Sequence, residues 1–162
     1  MDALRLIDIS RQALEGSREV PEVVAESWQI QALAQAIGSR LALSGPPDVR
    51  GEARALGETG GRGGGVYDHP VVRSGGVRAA QLTGVADPEA VLTALLALLG
   101  DVGIALVAVA CSTDDEGLYW QCIETMDSAD EAMDRVRGML RRLPLGEAAR
   151  PPETVRGRAG PL

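Results

Sequence analysis

Two stretches of this chain repeat their core-type positions at spacings that alternate between four and three. One carries Val23, Ser27, Ile30, Ala34, Ile37 and Leu41. The other carries Cys122, Met126, Ala129, Met133, Val136, Leu140 and Leu143. A helix turns once in 3.6 residues, so each set falls on one side of a helix and predicts an amphipathic element with that seam toward a core. The first begins near Pro21, a residue suited to a first helical turn, and ends at Gly45 ahead of Pro46 and Pro47. The second opens at Thr113-Asp114-Asp115-Glu116, which has the form of a capping box, and is stopped by Pro144. A shorter helix is predicted over 2–15, with Asp2 as cap, Ala3, Ile7, Ser10 and Leu14 on one face, and Gly16 as the stop.

Between these lies a helix predicted over 87–110, capped by Asp87 with Pro88 at its first position. It is apolar nearly all round, the pattern of a helix at the centre of a bundle, and Gly100 and Gly103 suit close approach of a neighbour. Its core, 92–110, has the length of a short membrane span. Asp101 interrupts it at the middle, at a cost of about 2.5–3.5 kcal/mol on insertion scales, and acids rather than Arg flank it. A buried helix is therefore the expectation, with no membrane. Short helices are predicted over 48–56 and 77–83. Strand signals are weak, with β-branched residues concentrated only in 102–109. Residues 57–76 hold eight of the 20 glycines and read as a Gly-rich loop; 144–162 have prolines, mixed charge and no period, and read as a disordered tail. The fold predicted is all-α: one helical-bundle domain over 1–143, with four main helices plus two short ones.

Composition narrows the setting. In 162 residues there is no Lys, Asn or Phe, and all 16 basic residues are Arg. The three missing residues have AT-rich codons, which indicates a GC-rich genome. With aromatics at 2%, the core must be built from Leu, Val, Ala and Ile. The first residues place acids where a secretory leader needs positive charge, so a cytoplasmic location with reduced Cys111 and Cys122 is expected.

Charge is concentrated in one place. From Asp114 to Asp134 there are eight acids and no base, −8 within a chain of net −7, so the remainder sums to +1. Glu124, Asp127, Glu131 and Asp134 follow one another at three, four and three, on the side of the helix away from Cys122. This outer face is either simply solvated or a docking surface for a basic partner. Docking fails if the protein's own chain covers the face. Direct nucleic-acid binding is not expected, because no basic stripe interleaves with aromatics.

Other candidates are weaker. Glu131-x-x-Asp134 resembles half of the carboxylate pattern of all-α nucleoside triphosphate pyrophosphohydrolases, whose Mg²⁺ is held by paired acids on two helices. The resemblance implies a second half at Glu19 and Glu22, or Glu22 and Glu26. Against it, the halves lie farther apart in sequence than in that family, and Glu131 faces outward. His69 is the single histidine, which excludes multi-histidine metal sites. The run Gly57–Gly65 lacks the Gly-Lys-Ser/Thr ending of a phosphate loop and follows a helix rather than a strand. Trp28, Tyr119 and Trp120 either plug the bundle or anchor an interface.

The segments Trp28-Gln-Ile-Gln-Ala-Leu-Ala-Gln-Ala-Ile-Gly-Ser-Arg40, Ser44-Gly-Pro-Pro47 and Glu116-Gly-Leu-Tyr-Trp-Gln-Cys122 resemble an uncharacterised family of small helical proteins from GC-rich actinobacteria. That resemblance implies a bacterial cytoplasmic protein and no reaction, cofactor or catalytic residue. The leading expectation is a non-enzymatic interaction or regulatory module, open to self-association. It would use the acidic face or an uncovered apolar seam. The alternatives are a Mg²⁺-dependent nucleotide pyrophosphohydrolase-like enzyme using Glu22, Glu26, Glu131 and Asp134, and a helical bundle that binds a small ligand in an apolar pocket.

Overall fold

The structure, a computed structural model, describes residues 1–59 and 76–143. Among the described residues there are five α-helices, two 3-10 segments and no strand; a single bridge joins Asp2 to Gly84. The helices are α1 (Ala3–Gly16), α2 (Val20–Ser44), α3 (Arg50–Glu58), α4 (Pro88–Ser112) and α5 (Glu116–Arg142), with 3-10 turns at Pro47–Val49 and Arg78–Gln81. The tail 144–162 and most of the expected Gly-rich loop, with His69, lie outside the described residues.

The helix starts follow from local chemistry. The first backbone N–H groups of a helix have no partner within it, and an acceptor two or three residues upstream supplies one. Asp2 accepts from Leu4 N–H at 3.0 Å, and Asp87 from Ala90 N–H at 3.1 Å, each as expected. At α5 the expected cap moves. Asp115, not Thr113, accepts from the helix, at Leu118 N–H (3.1 Å), while the Thr113 hydroxyl accepts from Asp115 N–H (3.1 Å). Thr113 instead closes α4, its N–H donating to Val109 O. Only residues 113–115 separate the two helices, so they fold back as an αα-hairpin and form the most extensive helix pair.

α2, not α4, is the central element: it packs against α1, α3, α4, α5 and the second 3-10 turn. Its inner positions Ile30, Ala34, Ile37 and Leu41 are buried as the periodicity predicts, with Val24 rather than Val23 at the first turn. At Gly38 the absent side chain sets the crossing with α3. A Cβ there would lie 2.8 Å from Ala53 O and 2.8 Å from Gly57 N. Gly57, expected in the loop, is thus a helix residue packed on Ser39, where a Cβ would meet the Ser39 hydroxyl at 2.8 Å.

Among the described residues, no aromatic ring is fully buried in the core. Its largest fully enclosed side chains are leucines and isoleucines, among them Leu6, Ile30, Leu33, Leu95, Leu98 and Leu99. Trp28 packs half-buried against them. Polar side chains also link the helices. The Gln31 amide donates to Thr125 O at 3.0 Å in the interior. Gln29 clamps the 3-10 turn, donating to Gly76 O and accepting from Arg78 N–H, each at 2.9 Å.

α4 departs most from expectation. Val91, Leu92, Leu95, Leu98, Leu99, Val102, Leu106 and Val109 are buried, but Ile104 is 73% exposed and Val107 48%. It is long and apolar enough to cross a membrane by length and composition, yet only 33% of its most apolar window is buried. Its glycines meet no close neighbour: a Cβ at Gly103 would touch nothing within 4 Å, and one at Gly100 only a Met133 methyl at 3.9 Å.

Candidate functional site

The outward surface of the α4–α5 hairpin holds the features with the most to offer a partner. On α5 the buried stripe is Cys122, Thr125, Ala129, Ala132, Val136 and Met139. Met126, Met133, Leu140 and Leu143 are only partly buried, while Cys122, Ala129 and Val136 keep their predicted places, so the seam is turned by about half a residue step from the predicted one. Opposite that stripe, Glu124, Asp127 and Asp134 are exposed and Glu131 is partly so. The protein's own described chain leaves this face open.

Trp120 continues the same line. Counting from it, Glu124, Asp127, Glu131 and Asp134 follow at four, three, four and three, so an indole that is 55% exposed heads a column of carboxylates. Tyr119 stands edge-on to it, ring centroids 5.5 Å apart at 81°. Sequence reasoning treated the tryptophan and the acids separately, although the spacing that unites them was visible. A π-face beside carboxylates suits a guanidinium, which stacks on one and pairs with the other.

The acids keep only loose internal pairing. Asp134 lies 3.3 Å from Arg137, and Glu131 lies 4.0 Å from Arg135; both pairs are exposed enough to be held weakly. Arg135 turns instead to Glu52 of α3 at 3.2 Å, which Arg142 also approaches at 3.7 Å. Glu52 lies against Gly138, where a Cβ would come within 3.4 Å of its carboxyl carbon. This bracket fastens α3 to α5 across 83 residues of sequence, and no local pattern announces it.

The carboxylates of the metal alternative are placed separately. Glu22 caps α2, accepting from the N–H groups of Arg18 (2.9 Å) and Glu19 (3.2 Å), and those bonds hold its pKa below the ordinary value. Glu26 is gripped by both Arg78 terminal nitrogens at 3.0 and 3.1 Å, one of which also donates to the Ser10 hydroxyl. Glu22 and Glu26 line one groove, Glu131 and Asp134 another. Among the described residues no group of three or more His, Cys, Asp or Glu could hold a metal ion. Both cysteines are free: Cys111 is exposed on α4, while Cys122 sits in the core, where desolvation pushes its thiol pKa up.

A family model described as a family of unknown function (DUF6099) matches residues 1–142, and the chain belongs to that family. No curated protein and no solved structure matches it.

Proposed function

We propose that this member of a family without an assigned function is a non-enzymatic interaction module of the bacterial cytoplasm that docks a basic protein segment along the outer face of α5. The observation that carries this reading is the uncovered column of Trp120, Glu124, Asp127, Glu131 and Asp134. Opposite charge speeds encounter and sets register, while an exposed aromatic supplies the anchor that charge alone lacks. A basic partner lying along the helix meets a carboxylate at each turn and stacks one arginine on Trp120. The bacterial cytoplasmic setting is what the resemblance of Trp28–Arg40, Ser44–Pro47 and Glu116–Cys122 to small helical proteins of GC-rich actinobacteria implies.

The experiment is a titration with a synthetic Arg-rich helical peptide, followed by Trp fluorescence and calorimetry, with a Glu-rich peptide of equal length as control. Saturable binding of the basic peptide is expected, weakening as salt shortens the Debye length from about 10 Å at 0.1 M. The variant Glu124→Gln, Asp127→Asn, Glu131→Gln, Asp134→Asn should lose at least about tenfold in affinity with its melting temperature kept within a few degrees. Equal affinity of that variant for the peptide would overturn the reading.

A further inference from the structure

The outer face of α4 is a separate matter from the acidic column. Ile104 protrudes from it and, with Leu14 and Ala105, also walls an apolar groove of about 280 Å³ between α1 and α4. Arg11, Glu15 and Asp101 rim that groove. Along the helix to either side stand exposed Ala97, Ala108 and Cys111, all small, and Gly100 with no close neighbour.

We propose that this face is covered by the same face of a second copy of the chain, forming a two-fold dimer centred near Ile104. An isologous interface needs knob and socket side by side next to the axis, so that each copy supplies both. Ile104 and the groove it borders meet that requirement, and the groove has room for an isoleucine side chain. The charges agree. Asp101 is exposed, with no hydrogen bond or ion pair among the described residues, and Arg11 has only a long surface contact to Asp8 at 3.4 Å. Across a two-fold axis, Arg11 of one copy reaches Asp101 of the other, and the symmetry makes that pair twice. The small residues flanking Ile104 let the two α4 helices approach closely. A lipid surface suits the same face less well: it would leave Asp101 without a counter-charge in the middle of the buried stripe, and Asp87, Glu89, Asp114 and Asp115 at the helix ends repel anionic headgroups.

Sedimentation equilibrium of the full chain over about 1–200 μM tests this, since a standard-sized interface dissociates in or below that range. A dimer is expected. Ile104→Glu should be monomeric throughout with an unchanged circular dichroism spectrum, because the side chain is outside the protomer's core. Arg11→Glu and Asp101→Arg should each weaken association by at least about tenfold, and the double variant should recover most of it, the signature of a direct pair. A wild-type chain that stays monomeric at 200 μM overturns the proposal, as does a dimer unaffected by these substitutions. A monomer that co-sediments with phosphatidylcholine vesicles overturns it in favour of lipid. None of these outcomes bears on peptide binding by α5.

Discussion

The two helices of the C-terminal hairpin are nearly equal in length, 25 and 27 residues, pack on the same core and turn opposite kinds of surface to water. The outer face of α5 is a column of acids headed by Trp120; that of α4 is Ala97, Asp101, Ile104, Ala108 and Cys111, with one charge in five positions. A solvated acidic face has no energetic need of cover, and a partner there would add specificity. An apolar face carries a standing hydrophobic cost of roughly 25 cal/mol for each Å² left in water, and contiguous exposed apolar surface on a soluble chain marks a place of contact. The hairpin thus carries two kinds of surface, one suited to selection by charge and one suited to association by burial, as proposed above.

The largest expected effect separates the two sides of α4. Leu95→Ala, on the fully buried side, should lower unfolding free energy by about 2–5 kcal/mol in urea melts at low protein concentration, because a cavity remains where the side chain was. Ile104→Ala under the same conditions should stay within about 0.5 kcal/mol of wild type. If the two cost the same, α4 has no bare side and the contrast between the helices collapses.

Next in size is the anchor. Trp120→Ala should weaken the Arg-rich peptide by about 2 kcal/mol, some 30-fold, with stability unchanged, whereas Ile104→Ala should leave peptide affinity as it was. Equal losses from both would mean that the peptide reads the hairpin as one apolar surface.

The smallest effect comes from a carboxylate with a structural partner, away from the acidic column. Glu22 has its pKa lowered from 4.5 by the backbone N–H groups of Arg18 and Glu19. A depressed folded pKa contributes stability above the unfolded value and loses it as pH falls through the folded one. Glu22→Gln should therefore flatten the decline in melting temperature below about pH 4.5 relative to wild type. The comparison is made by differential scanning calorimetry from pH 7 to pH 3.

Much of this architecture is legible in the residues. Asp2 and Asp87 fix helix starts through local hydrogen bonding, Pro21 and Pro88 through a φ already set for a first turn, and the alternation of four and three places α2 and α5 correctly. The errors have physical causes. On α5 the methionines look like the seam, but Thr125 and Ala132 sit deeper than Met126 and Met133. Hydrophobicity locates the stripe, while side-chain size decides which position lies nearest the neighbour. α4 reads as central because an all-apolar helix has no polar side to reveal which way it faces. Gly57 looks like the start of a loop, and its role at the crossing with Gly38 exists only in three dimensions. The Arg78–Glu26 and Glu52–Arg135 pairs span 52 and 83 residues and leave no local trace. The acidic column was readable by spacing; that Trp120 heads it follows from the same arithmetic carried one step further.

The most direct test of the central claim is a chemical-shift map of ¹⁵N-labelled protein titrated with the Arg-rich peptide. The prediction is that the Trp120 indole N–H and the backbone amides of Glu124, Asp127, Glu131 and Asp134 move together and saturate, while those of Ala97, Ile104 and Ala108 stay still. Shifts confined to α4, or spread over both helices alike, would contradict the division of labour between the two faces.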